Sequence, residues 1–191
     1  MDQNHYLFES QLLPHQLKHL LLVKVLKNSG VYLHQLLLLL EYQVHLFDLF
    51  PQQIVLYFLH LMQNNLVDAC ITGTDRTTAN GDVCNKIGTY LKALAAKDNN
   101  IPFYVAAPIS SIDFALNNGL KQIPIEMRNE KEISHIMGLN KKGNLETVQA
   151  IPSKANCINY AFDVTPAKYI TKLITEKGIV DANSSSIKEL K

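Results

Sequence analysis

The sequence predicts an α/β fold in which a parallel sheet is flanked by helices and preceded by a helical, leucine-rich N-terminal segment. Three observations support this fold class. The run Val67–Thr72 is short, apolar and rich in β-forming residues, Val83–Lys97 is amphipathic with a helical period, and Ile101–Ala107 is a second apolar run. A strand, a helix and a strand joined by short connections predict a right-handed βαβ unit.

Residues 1–60 differ in composition from the rest of the chain. They hold six of the seven histidines, one of the eight glycines and neither arginine. Runs such as Leu36–Leu40 are apolar on every side, which is typical of a buried helix. We therefore divide the chain into an atypical helical segment, 1–60, and an α/β domain, 61–191. His15 and His19 share a helix spacing, but no third ligand lies at a motif distance, so no metal site is predicted.

Charge and cysteine content narrow the functional classes. The 191-residue chain has a net charge of +1 with mixed signs, so no global field recruits nucleic acid or an anionic membrane. Its first residues lack a secretory pattern, and its longest uncharged run is too polar to span a bilayer, which favours the cytoplasm. Cys70, Cys84 and Cys157 form no CxxC pair, a pattern that favours buried free thiols over a disulfide or a metal site.

A candidate acid–base residue follows the first predicted strand. Asp75 lies where the carboxyl end of a parallel strand delivers polar groups to a ligand, and a carboxylate there can donate or accept a proton. The alternative is that Asp75 only caps its loop or pairs with Arg76. The loop after the second strand carries Ser110, Ser111 and Asp113 and is rich in capping side chains.

A candidate anion site follows at the predicted helix. If Asp82 is the N-cap, Asn85 and Lys86 fall in the first turn, where free N–H groups favour an anion. A lysine there opposes the helix dipole unless an anion compensates it, so Lys86 indicates a bound phosphate or else simply faces solvent. The residues thus predict a phosphate-accepting site with one acid–base carboxylate, and no reaction follows from them alone.

The remainder of the chain is less regular. Residues 129–156 are polar and predict irregular structure. Thr165 and Pro166 are typical of a helix start, and the predicted helix buries Ala167, Ile170, Leu173 and Ile174. The tail from Asp181 is expected to fray.

Four strings carry a resemblance to a known family. TGTDRTTANGDVCNKIGTY, IPFYVAAPISSID, IPIEMR and AFDVTP with ITEKG occur in this order over residues 61–181. Together they resemble the methylthioribose-1-phosphate isomerases of methionine salvage. That family shares its fold with the regulatory subunits of translation initiation factor 2B and with ribose-1,5-bisphosphate isomerases. The resemblance implies a Rossmann-like sheet in the α/β domain.

The resemblance also implies a chemistry. Members of the family are aldose–ketose isomerases that convert 5-methylthioribose 1-phosphate to 5-methylthioribulose 1-phosphate without a metal or nucleotide cofactor, and they are typically homodimers. Asp75 matches the family's catalytic aspartate, the proton donor for opening the furanose ring. Asn85 and Lys86 match the pair that holds the substrate at its phosphate.

Two departures from the family qualify this expectation. In the family, the catalytic cysteine lies in a sequence motif well upstream of the aspartate, and the residues before Asp75 in this chain do not contain that motif. Tyr160 also replaces a usual proline. We therefore expect a truncated copy, the C-terminal half of such an isomerase, with residues 1–60 as a foreign or frame-shifted leader. The alternative is a non-catalytic sugar-phosphate-binding or regulatory protein, which the missing cysteine favours.

Overall fold

The structure is a computed structural model that describes the backbone of residues 21–23 and all of residues 58–191. Its helices are α1 (58–63), α2 (Thr89–Asp98), α3 (Gly119–Gln122), α4 (Lys131–Ser134) and α5 (Ser184–Lys188). Its strands are β1 (Leu21–Val23), β2 (Ala69–Thr72), β3 (Arg76–Thr78), β4 (Val83–Lys86), β5 (Phe103–Ala106), β6 (Ile112–Asp113), β7 (His135–Leu139), β8 (Leu145–Gln149), β9 (Phe162–Thr165), β10 (Lys172–Thr175) and β11 (Gly178–Val180). Short 3-10 turns occupy Ile109–Ser111 and Ala167–Tyr169.

The larger sheet has the strand order β1-β2-β5-β10-β11. Its three central strands are parallel, with Cys70 opposite Phe103 and Val105 opposite Leu173, while both edge strands are antiparallel. The chain passes from β2 through the β3–β4 hairpin and α2 before it returns in β5. The predicted parallel sheet with helices is confirmed, and its first two predicted strands are present with shorter bounds.

A second sheet has the strand order β6-β3-β4-β9, and of its strands β3 and β4 lie between β2 and α2 in sequence. β4 pairs antiparallel with both β3 and β9, and β3 pairs in parallel with β6. β9 joins this sheet from far along the chain, since Cys84 lies opposite Val164. This sheet positions most of the residues that the sequence singles out.

The main core lies around the central strands of the larger sheet. It combines strand residues with the buried face of α2 and with the C-terminal helix, whose Ile187 is completely buried. Its members include Met62, Cys70, Ala93, Ala96, Phe103, Val105, Leu173, Ile187 and Leu190. The last ten residues therefore belong to the fold, and the predicted fraying of the tail is wrong.

The predicted helix Val83–Lys97 is wrong over its first six residues. Val83–Lys86 is strand β4, and α2 begins only at Thr89 after a left-handed Gly88. The predicted apolar stripe is also displaced, because Ile87 and Leu91 are exposed. The buried face of α2 instead carries Thr89, Lys92, Ala93 and Ala96. Pairing of β4 on both sides satisfies its backbone and overrides the helical period of its sequence.

Two other predictions are wrong in the C-terminal half. Residues 129–156 contain α4 and the β7–β8 hairpin, in which Ile136 lies opposite Val148. The helix predicted after Pro166 is a 3-10 turn followed by β10 and β11. Thr165 ends β9 instead of capping a helix. Some of the apolar residues that suggested the buried stripe of a helix are instead buried in strand β10. Short apolar runs do not distinguish a buried strand from a buried helix.

The helical N-terminal segment is largely beyond the described residues. Leu21–Val23 is a strand, so the helical prediction is wrong for those three residues, whereas 58–63 is helical. The remainder of segment 1–60, including His15 and His19, lies outside the described residues, and the division near residue 60 stays a prediction. Within 21–23 and 58–191, every helix is too short or too polar to cross a membrane.

Candidate functional site

A shallow cleft of about 330 Å³ opens where two neighbouring parallel strands end. Asp75 follows β2, and residues 110–114 follow β5. Because β2 and β5 are adjacent and parallel, both loops emerge at the same edge of the sheet, which is where open α/β sheets bind ligands. The cleft is lined by Asp75, Arg76, Ser110, Ser111, Ile112, Asp113 and Phe114.

Asp75 is held by its backbone and exposes its side chain. Its N–H donates to the carbonyl oxygen of Cys84 at 3.0 Å, and the Thr74 hydroxyl donates to the same oxygen at 3.2 Å. The nearest ion pair of Arg76 is with Asp113, at 3.9 Å between Nη1 and Oδ2. Arg76 is therefore paired with Asp113 and not with Asp75, whereas the alternative that Asp75 only caps its loop stays a prediction. The Asp75 carboxylate remains available to a ligand in the cleft.

Asp113 lines the same cleft as Asp75 and is fixed by its own strand. β6 pairs with β3 so that Asp113 lies beside Thr78. One carboxylate oxygen, Oδ1, accepts the N–H of Ala115 at 3.1 Å. The other oxygen, Oδ2, is directed to Arg76. The cleft thus presents two carboxylates and one guanidinium from two chain segments, Asp75–Arg76 and the loop after β5.

Asn85 is buried on the face of β4 opposite to the face that carries its neighbour Lys86. Its side chain is 1% exposed, and its amide nitrogen donates to the Thr72 hydroxyl at 2.9 Å and to the Thr89 hydroxyl at 3.1 Å. These bonds tie the end of β2 to the start of α2. In this structure Asn85 braces the strand end behind the cleft, and its assignment to substrate stays a prediction.

Lys86 projects from the face of β4 that also carries Arg76. Successive strand residues point to opposite faces, and Arg76 lies directly opposite Cys84, so Arg76 and Lys86 are diagonal neighbours on one face. The ammonium of Lys86 lies 5.6 Å from the centre of the Phe162 ring. Its predicted place in the first turn of a helix is wrong, since β4 is a strand, so helix N–H groups do not explain an anion there.

The N-terminus of α2 is already occupied by a carboxylate of the protein. Asp163 on β9 accepts the N–H of Gly88 at 2.6 Å and that of Tyr90 at 3.1 Å. Burial raises the pKa of Asp163, and these two bonds together with Lys92 oppose the rise. Lys92 is only 5% exposed, and burial lowers its pKa while Asp163 and Cys70 oppose that change. The helix dipole is thus compensated internally.

Asp82 is not a helix N-cap before Val83 but a junction between loops. Its Oδ2 accepts the N–H of Gly119 at 2.9 Å, and its Oδ1 accepts the N–H of Ala167 at 3.0 Å. Asn80 adds a bond to Oδ2 at 2.9 Å. These contacts hold the Asn80–Asp82 turn, and with it the β3–β4 hairpin, against the first residues of α3 and of the second 3-10 turn.

One thiol lies near the candidate acid–base group. Cys84 is buried, and its pKa is raised to about 11 by burial first and then by the charges of Asp75 and Asp163, with Arg76 acting in the opposite direction. A thiol in this state stays protonated at neutral pH and is a poor nucleophile. All three cysteines are free. Among residues 58–191, no group of three or more His, Cys, Asp or Glu side chains is arranged to hold a metal ion.

Sequence reasoning missed the cleft contribution of the loop after β5. The sequence indicates only capping roles for Ser110, Ser111 and Asp113, and it offers Arg76 as a partner of Asp75 in one of two alternatives. The position of Ser110, Ser111 and Asp113 in the chain is the signal that could have identified them. They follow β5, which is adjacent in the sheet to β2, the strand that precedes Asp75. Parallel neighbours deliver their following loops to one edge.

The fold and the cleft define the class of protein. The chain belongs to the Initiation factor 2 subunit family, whose family model matches residues 55–182. The resemblance predicted from the four sequence strings is confirmed. Among curated proteins, the chain is 59% identical over 128 residues to a methylthioribose-1-phosphate isomerase of Methylocella silvestris, covering 67% of this chain and 35% of the relative.

Further relatives agree with this assignment. A methylthioribose-1-phosphate isomerase of Escherichia coli O45:K1 is 59% identical over 131 residues, which cover 69% of this chain and 35% of the relative. The chain therefore matches about a third of the length of these curated relatives, as the 35% coverage shows.

Solved structures show the same fold. The 5-methylthioribose 1-phosphate isomerase from Pyrococcus horikoshii OT3 is 43% identical with a TM-score of 0.58, covering 69% of this chain and 34% of that one. The delta subunit of translation initiation factor eIF-2B from A. fulgidus is 34% identical with a TM-score of 0.60, covering 71% and 37%.

Proposed function

We propose that residues 61–191 supply the C-terminal half of an aldose–ketose isomerase site that acts on 5-methylthioribose 1-phosphate. The relatives at 59% identity carry this activity in their names. The observation that carries the proposal is the position of Asp75, exposed at the carboxyl end of β2 in a cleft shared with the loop after β5. A carboxyl group in this position can, in its protonated form, donate its proton to the ring oxygen as the furanose opens, which leaves the carboxylate.

Lys86 supports the phosphate part of the proposal. It lies on the same face of the second sheet as Arg76, and its ammonium is half-buried against Phe162. An ammonium on a strand beside the cleft can pair with a phosphate monoester as a point charge. Asn85 supports the same wall indirectly by joining Thr72 to Thr89. No metal or nucleotide cofactor enters this chemistry.

A second function is favoured by two observations. The structure resembles an initiation-factor subunit as well as an isomerase, with TM-scores of 0.60 and 0.58. The thiol beside Asp75 is Cys84, whose raised pKa of about 11 unfits it as a base at neutral pH. The alternative is a non-catalytic protein that binds a sugar phosphate in the same cleft. As its setting for either function we propose a cytoplasmic homodimer.

The experiment that tests the proposal is turnover by the purified full chain. Conversion of 5-methylthioribose 1-phosphate to its ketose is followed by NMR for the native chain and for Asp75→Asn. We expect Asp75→Asn to abolish conversion and to change stability by less than about 0.5 kcal/mol, because the side chain is exposed on a loop. Conversion at the native rate in Asp75→Asn would show that another group carries the chemistry.

The same chain separates the two functions. Saturable binding without conversion, weakened in Lys86→Ala, would leave the non-catalytic function. Lys168→Ala is the matched control, since its ammonium also lies over an aromatic ring, that of Tyr169, but in the second 3-10 turn and not on the sheet face that carries Arg76. Equal binding by both variants would remove Lys86 from the site.

A further inference from the structure

We propose that Arg76 and Asp113 form the part of the cleft that recognises the ring hydroxyls of the sugar and thereby sets the preference for a ribo-configured pentose. The inference rests on the proposed function and deepens it. It assigns roles to two residues that neither the motif comparison nor the acid–base argument uses. The phosphate is left to Lys86, on the same sheet face but outside the cleft lining.

The geometry of Arg76 suits it to a ligand. Its side chain is 48% exposed, and its only ion pair among the described residues is the 3.9 Å contact with Asp113. That distance is too long for a hydrogen bond, so the guanidinium keeps its donors for another partner. An exposed pair of this kind contributes little to stability and opens at little cost.

Asp113 is suited to a ligand for a different reason. Its Oδ1 is fixed by the N–H of Ala115, and its strand is fixed beside Thr78. The second oxygen, Oδ2, therefore has a set direction over the cleft, toward Arg76. A donor and an acceptor held side by side match two adjacent hydroxyl groups, each of which both donates and accepts.

The charge of the cleft favours a polyol over a phosphate at this point. Asp75 and Asp113 bring two negative charges against the single positive charge of Arg76, and Ser110 and Ser111 are neutral. A phosphate dianion would meet net repulsion there, whereas sugar hydroxyls can donate to both carboxylates.

The test compares two ligands by calorimetric titration of the full chain. The probes are 5-methylthioribose 1-phosphate and its 2-deoxy analogue, which lacks one ring hydroxyl. We expect the native chain to bind the first about tenfold more tightly, because the analogue leaves a charged group unpaired. Arg76→Met and Asp113→Asn are expected to reduce that preference to within about twofold, by weakening binding of 5-methylthioribose 1-phosphate more than binding of the 2-deoxy analogue.

Arg128→Met is the matched control, since Arg128 is comparably exposed and paired with Glu132 away from the cleft. Its discrimination should equal that of the native chain, and circular dichroism verifies that all variants are folded. Retention of the tenfold preference in both cleft variants would overturn this inference and leave the proposed function intact. Failure of the native chain to bind either sugar phosphate would overturn both.

Discussion

Gly81 packs against the backbone just before the C-terminal helix, so closely that a side chain at this position would collide with it. It lies in the turn between β3 and β4 with φ +91°, and a Cβ built there would approach the carbonyl carbon and oxygen of Ala182 to 2.6 Å. Asp82, its neighbour, holds the same turn against Gly119. Gly81→Ala therefore imposes two separate costs, a left-handed backbone on alanine and a collision with a backbone atom.

The cost follows from these contacts. The left-handed conformation costs about 1–2 kcal/mol for a residue with a Cβ. Relieving the collision adds about 1–3 kcal/mol of overpacking strain, because Ile187 and Leu190, a few residues beyond Ala182, are buried and resist displacement. We expect Gly81→Ala to lower the free energy of unfolding by about 2–5 kcal/mol.

Gly143 provides the matched control. It also has a positive φ, +78°, but a Cβ there would have nothing within 4 Å. Gly143→Ala should therefore lose only about 1–2 kcal/mol. Urea denaturation measures both, and hydrogen exchange of residues 184–190 should accelerate in Gly81→Ala alone. Equal losses in the two variants, with unchanged exchange at the C-terminal helix, would refute the predicted collision.

Three further predictions concern titratable groups. Burial raises the pKa of Cys70 to about 12 and that of Cys84 to about 11, so a thiol reagent at pH 8 should modify Cys157 alone quickly and all three thiols after denaturation; rapid reaction of three native thiols would contradict this. Thiols of the unfolded chain have a pKa near 9.0, whereas the two buried thiols ionise only at higher pH. The free energy of unfolding should therefore fall as the pH rises above 9. A free energy of unfolding that stays constant from pH 8 to 11 would count against the burial of these thiols. Burial lowers the pKa of Lys92 from 10.5, so the unfolded state binds more protons than the folded state as the pH approaches 10.5 from below. The free energy of unfolding of the native chain, relative to that of Lys92→Met, should therefore rise from pH 8 to 10.5. Parallel pH dependences of the two free energies would contradict this prediction.

The parallel sheet could be predicted from sequence because its strands are short apolar runs bounded by turn residues. Ala69–Thr72 and Phe103–Ala106 lie inside the predicted runs, and Asp75 follows the first of them. Local pattern and fold agree there, and the edge of a parallel sheet then predicts where a ligand binds. The position of Asp75 in the cleft needed no other information.

The start of α2 could not be predicted because its determinants are distant in sequence. Four residues of β4 pair with β9, and the carboxylate at the helix N-terminus is Asp163 from that same distant strand. The residues near Val83 in sequence contain neither β9 nor Asp163, and Asp82 resembles a local helix N-cap although it does not act as one. The same applies after Pro166, where pairing of β10 with β5 overrides a helical pattern.

The pairing of Arg76 with Asp113 was likewise hidden from sequence. The two residues are brought together by the parallel register of β3 and β6, which no adjacent motif encodes. Arg76 next to Asp75 suggested a local pair, whereas the ion pair of Arg76 is with Asp113. The composition of the cleft therefore follows from topology.

A titration of the ¹⁵N-labelled full chain with 5-methylthioribose 1-phosphate tests the central claim most directly, which is that the site lies where β2 and β5 end. The account predicts saturable chemical-shift changes concentrated at Asp75, Arg76, residues 110–114 and Lys86. Residues of the β7–β8 hairpin should not shift. Saturable changes centred on that hairpin, or no changes at the cleft with ligand in large excess, would contradict it.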